Sequence, residues 1–228
     1  MSLLRRHWYT AGLLVAAAAL CLALLGELSR VQVILLLNFV ALIVHQFEEY
    51  GWPGGGPWIV NEVLRGPSDR PDRYPLNQNN ALMINVFAAY PFYLLPVCFP
   101  QVIWLGLAPV IFGMTQFLGH GIFANIKLKS VYNPGLAAVV LGHIPLGIWY
   151  LAEVQSLGAI RAWDWVFAVL YIAAFLVIVM QWLGYTVLAD KNSPYPFAPE
   201  EINRFSPDQR LARLGRPRSV PQEGSGRN

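Results

Sequence analysis

Charged side chains are scarce in this sequence of 228 residues: Asp, Glu, Lys and Arg make up 13% of it, while 56% is hydrophobic and the mean hydropathy is +0.44. That is about half the charge of an ordinary soluble domain, so the composition points to an integral membrane protein. The formal charge of +3 is spread between apolar runs and makes no basic patch, so no nucleic-acid partner is expected. Cysteine is just as rare. Cys21 and Cys98 both lie inside apolar runs, which excludes a disulfide framework and a cysteine zinc site. The glycine run Gly54 to Gly56 lacks a following Gly-Lys-Ser/Thr and no strand precedes it, so it is no phosphate loop. Nor is there an internal repeat of the kind that builds many transporters.

What is present is apolar length. Six windows can cross about 30 Å of hydrocarbon at about 1.5 Å per residue, near 9–28, 31–50, 79–98, 101–126, 134–155 and 162–188. The first follows "RRHWYT" and has the basic and apolar regions of a signal peptide, but no small-x-small cleavage site follows, so it is read as a span. The expected fold is an all-α polytopic bundle of six transmembrane helices over residues 1–190. Fourteen of the sixteen Lys and Arg fall on one side of it, leaving only Arg30 and Arg161 on the other. By the positive-inside rule both termini are cytoplasmic, and a bacterial inner membrane is the expected location.

The 51–78 loop is the one long connection. Within it, "PWIVNEVLRG" sets Ile59, Val60, Val63 and Leu64 against Asn61, Glu62 and Arg65, a pattern that predicts a short interfacial helix. The glycines before it read as a hinge for a lid over the pocket mouth. Residues 191–228 read as a basic, largely disordered cytoplasmic tail, with a short amphipathic helix around Pro199 to Leu214.

Depth then sorts the intramembrane polar residues. His45, Glu48 and Glu49 end the second span; Asn79, Asn80 and Asn85 begin the third; Gln116, His120 and Asn125 end the fourth; His143 lies in the fifth. All are expected in one leaflet, and they include three of the four histidines in the chain. Asn38, His45 and Glu49 are spaced seven and four apart, and Glu48 is three from His45, so one face of the second span is expected to carry them.

"HQFEE", with an Asn-bearing third span and the later "GHGIFANIKLKSVYNPG", resembles the bacterial HXXEE family of multi-pass membrane proteins over about residues 30–155. The resemblance implies a metal or active site built from the His and Glu residues, and no substrate.

A carboxylate inside a bilayer needs compensation, roughly 2.5–3.5 kcal/mol at mid-span on insertion scales. Three answers fit the residues: a divalent cation (zinc, iron or manganese) held by His45, His120, His143 and Glu49; protons on one or both glutamates; or an ion pair with Lys127 or Arg65. The leading expectation is a metal-dependent membrane enzyme, a hydrolase or an oxidoreductase, acting on a lipid or another hydrophobic small molecule. In that expectation Glu48 and Glu49 act as catalytic carboxylates, and Asn38, Asn85, Gln116, Asn125 and Lys127 lie around the ligands or against substrate. The alternatives are a cation- or proton-coupled transporter using the same cluster, and a noncatalytic scaffold whose polar cluster only fixes helix packing. "YNPG" at 132–135 is read as the Pro-led first turn of the fifth span.

Overall fold

The structure, a computed structural model, describes residues 2–217, and every regular element among them is a helix. Six helices have the length and apolarity to cross a membrane: α1 (Leu3–Leu25), α2 (Arg30–Tyr50), α4 (Gln78–Cys98), α5 (Ile103–Leu128), α6 (Leu136–Ser156) and α7 (Ala162–Val187). Between α2 and α4 lies α3 (Gly56–Trp58, continued as a wide turn over Ile59–Leu64), and two short helices follow α7, α8 (Pro199–Ile202) and α9 (Pro207–Arg213).

Local chemistry sets the helix starts. Ser29 begins α2 by accepting the Gln32 N–H at 3.3 Å while the Gln32 side chain accepts the Ser29 N–H at 3.1 Å, a reciprocal cap. At α4 the capping residue is Asn77, which accepts the N–H groups of Asn79 and Asn80; Asn80 reciprocates through its own side chain. Asp164 caps α7 through the Arg161 N–H at 2.7 Å and also accepts the Trp104 N–H at 3.2 Å, which ties the start of α5 to that of α7.

The most enclosed span is α2: 67% of its apolar window is buried, against 11% for α7. It packs on α1, α4, α5 and α6, with Ile34, Leu35, Phe39 and Ile43 meeting Phe92, Leu107, Val110 and Tyr150 in the core. The least enclosed span is α7. Stretches with wide i→i+5 turns interrupt α4 (Met83–Ala88), α5 (Leu118–Ala124), α6 (Val139–His143) and α7 (Phe175–Val187). Such bulges re-aim side chains, and here they carry Asn85, His120 and His143.

Two expectations are corrected at the loop end of the bundle. The α3 segment does not lie on a surface with a polar face outward: Asn61 and Glu62 are buried along with Ile59 and Val63. Asn61 bridges the loop, donating to the carbonyls of Pro71 and Leu76 and accepting the Leu76 N–H, all at 2.9 Å, so its burial leaves nothing unsatisfied. The described part of the tail, in turn, is folded against the bundle. Phe197, Ile202 and Leu211 insert into a second core with Trp8, Tyr50, Trp58 and Leu76. Backbone bonds seal it: Phe197 N–H to the Asp72 carbonyl at 2.8 Å and Gln78 N–H to the Tyr195 carbonyl at 3.0 Å. The indole of Trp58 donates to the Arg204 carbonyl at 2.8 Å, and Arg204 donates to the Tyr50 carbonyl. Composition hides this because three well-spaced apolar anchors suffice in an otherwise polar stretch. The part of the disorder expectation that falls on 218–228 lies outside the described residues.

Candidate metal centre

The last turns of α2 present His45 and Glu49, four residues apart and therefore neighbours on the helix surface. His120 reaches the same place from the wide turn of α5. The His120 Nε2 is 3.3 Å from Glu49 Oε1, and the His45 Nε2 is 3.7 Å from Glu49 Oε2. The two imidazoles meet edge to face, with ring centres 4.8 Å apart and planes at 90°.

The far side of each ring is held by a carbonyl. His45 Nδ1 lies 3.0 Å from the Gly135 backbone oxygen, and His120 Nδ1 lies 2.8 Å from Asn133 Oδ1. A backbone carbonyl can only accept, so His45 donates from Nδ1. The Asn133 amide is oriented by its own donors, which go to the His120 carbonyl at 2.6 Å and to Asn125 Oδ1 at 2.8 Å, leaving its oxygen for the ring. In both neutral imidazoles the lone pair is thereby on Nε2, facing Glu49.

Gly135 is indispensable to this arrangement. Its φ is +101°, and a Cβ there would stand 2.7 Å from the Cε1 atoms of both His45 and His120. The segment "YNPG" thus begins α6 and also positions both rings. Sequence reasoning missed Asn133 and took Gly135 only as part of the first turn of the fifth span; the available signal was an Asn and a Gly flanking Pro134 at the depth of the histidines.

The ligand atoms of His45, Glu49 and His120 all lie within 4.8 Å of one another. A tetrahedral ion with bonds of about 2.1 Å needs ligands about 3.4 Å apart, close to the two measured His–Glu separations. Each ring donating its other nitrogen to a carbonyl is the outer support that metal-bound histidines use. The residues therefore fit a divalent ion. A cavity of about 150 Å³ opens beside them, walled by Asn85, Gln116, Tyr50 and Tyr185, with Val60 and Leu76 contributed by the loop.

The remaining expected residues fall elsewhere. His143 lies beside His45, ring centres 6.1 Å apart, but outside the group of three; its Nδ1 meets Asn38 Oδ1 at 2.8 Å, and its Nε2 is buried with no hydrogen-bond partner. Glu48 turns away from Glu49. Residues three and four positions beyond His45 lie on opposite flanks of its axial row, about 100° apart, so one face does not carry both glutamates. Glu48 instead receives the Tyr132 hydroxyl at 2.7 Å and the N–H groups of Ala137 and Ala138 at 3.1 and 2.8 Å, capping the first turn of α6. Burial, reinforced by the bond to Glu48, pushes the Tyr132 phenol well above its ordinary range, so it remains a donor. Asn85 donates to the Ala81 carbonyl at 2.9 Å and to the Tyr50 hydroxyl at 3.4 Å. Asn125 supports Asn133.

The ion-pair answer to the carboxylates fails. Lys127 donates to the Leu64 carbonyl at 2.9 Å, and Arg65 bonds Gln181 Oε1 at 3.1 Å while stacking on Tyr185. Among the described residues, the side chains that meet the Glu49 carboxylate are the two imidazoles, and neither Lys127 nor Arg65 reaches it.

A second, larger space lies outside the bundle between α2 and α6. This apolar groove of about 690 Å³ runs from Leu37 to Trp52 past Val44, Leu141 and Trp149, and shares no lining residue with the inner cavity.

The family described as a protein of unknown function with HXXEE motif matches residues 36–150, and the chain belongs to it. No curated protein and no solved structure matches the chain.

Proposed function

We propose that this HXXEE-family membrane protein is a metal-dependent enzyme whose ion is held by His45, His120 and Glu49. One observation carries the reading: both imidazoles donate Nδ1–H to a carbonyl and direct Nε2 at the same carboxylate. Two imidazoles and one carboxylate suit zinc, iron or manganese, and hydrolytic and oxidative chemistry are both open to them. When bound by His45, His120 and Glu49, such an ion would supply Lewis acidity.

The chain's own residues do the rest. Gln116 and Asn85 offer hydrogen bonds to a substrate group in the cavity, and Val60, Leu76 and Phe175 limit the water that reaches it. Glu48, bound to the start of α6, maintains the helix that presents Gly135. The substrate proposed is a lipid or another hydrophobic molecule, since the site lies within membrane-spanning helices. The Lys and Arg distribution favours a cytoplasmic position for the motif end.

Metal analysis of the purified protein tests this. About one ion per chain in the wild type, lost in His120→Ala and in Glu49→Ala, is the expected result. Wild type that binds no zinc, iron or manganese after reconstitution overturns it, and Glu49-dependent ion flux in proteoliposomes from such metal-free protein would replace it with transport.

A further inference from the structure

Two cavities meet at Tyr185. The inner one holds His45, Glu49 and His120; the outer, about 290 Å³, lies at the same end of the bundle and is lined by Arg65, Ser68, Asp69, Tyr74, Tyr185 and Lys191 among others. Polar atoms dominate its walls, in contrast to the lipid-facing groove. The groove has no wall in common with the inner cavity, whereas this vestibule does.

Its charge has a sign. Lys191 lies 2.9 Å from Asp69, and hydrogen bonding from Lys191 holds the Asp69 carboxyl below its ordinary value; the pair adds no net charge, but that contact uses one of the three N–H donors of the ammonium. Arg65 is left over. Its guanidinium rests 4.2 Å from the Tyr185 ring centre and gives one bond to Gln181, and among the described residues it makes no ion pair with a carboxylate. It is exposed, on the rim of a polar hollow at the level where α7 ends. A planar, permanently charged fork in that position matches the oxygens of a phosphate or carboxylate, and the stacked ring holds it in orientation.

We infer that this vestibule is an anion site that takes a phosphate- or carboxylate-bearing group on Arg65 and Lys191. An anionic lipid headgroup and a dissolved anion share that chemistry. The site puts its ligand one side chain, Tyr185, from the inner cavity, so the polar part of the substrate is anionic; that last step rests on the proposed function, whereas the anion site itself does not.

Full-length protein in phosphatidylcholine nanodiscs provides the test, read by thermal melting and native mass spectrometry. Inorganic phosphate is titrated in one arm, and phosphatidylglycerol is included in the disc in the other. Stabilisation by phosphate marks a site open to dissolved anions, and stabilisation by phosphatidylglycerol alone marks a headgroup site. In either case the double variant Arg65→Gln, Lys191→Gln is expected to bind about tenfold to a hundredfold more weakly, the loss of charge-assisted bonds. Lys129→Gln, an exposed cation at the same end, is expected to bind as wild type does. A wild type indifferent to both probes overturns the inference, as does equal weakening in Lys129→Gln. Metal content measured on the same samples separates the two proposals: an anion response without bound metal removes the enzyme and leaves the anion site.

Discussion

Glu48 and Glu49 are neighbours in the chain that serve different regions of the molecule. Glu49 faces inward between two imidazoles, on a cavity open enough to leave its side chain 20% exposed. Glu48 faces α6, where a tyrosine and two backbone amides take up its oxygens. The difference teaches that a pair of carboxylates in a motif need not be a catalytic pair. Here one group holds a helix start in place, and that helix start holds the rings which the other group faces.

The comparison is broken most sharply by removing each glutamate in turn. Glu49→Ala is expected to abolish stoichiometric metal binding while leaving unfolding in detergent close to wild type; inductively coupled plasma mass spectrometry and a denaturant titration read the two properties. Glu48→Ala is expected to do the reverse, costing about 2–4 kcal/mol of stability because buried amides at the start of α6 lose their acceptor, with metal retained in the folded fraction. Equal metal loss in the two variants would erase the distinction.

Finer changes sharpen it. Asn133→Ala leaves every ligand in place but frees the His120 ring, and a tenfold to hundredfold weaker metal affinity, roughly, is expected from competition with a chelator. Lys127→Met, whose ammonium serves the Leu64 carbonyl, should leave that affinity unchanged. Tyr132→Phe removes one of the three bonds to Glu48 and is expected to cost about 1 kcal/mol. The folded phenol's pKa is raised above its unfolded value, so this contribution is full below about pH 10 and lost as pH rises beyond it. Wild type and Tyr132→Phe should therefore converge in strongly alkaline melts.

Bilayer thickness made the spans legible. Five of the six observed helices begin and end within two residues of the apolar windows, since length and hydrophobicity are what the membrane demands. Helical phase and depth together were enough to bring His45, Glu49 and His120 to one place. The duty of Glu48 was not legible. Its partners lie 84 to 90 residues away, and two of them are backbone amides, which have no letter in the sequence. The exclusion of His143 from the ligand group was not legible in the spacing either, because it turns on a tertiary partner, Asn38, which takes its Nδ1. The folded tail was hidden for a related reason: Phe197, Ile202 and Leu211 pack against aromatic residues from the first half of the chain, and composition averages cannot see such partners.

The bond from Arg204 to the Tyr50 carbonyl has a meaning in time as well as in space. Tyr50 directly follows the glutamates, yet the arginine that clasps it lies 154 residues further along the chain. The end of α2 therefore waits, through the insertion of four more spans, for the contact that fastens it. A nascent chain halted in α7 would carry the whole HXXEE motif while the Tyr50 carbonyl at the end of α2 still lacked its Arg204 donor.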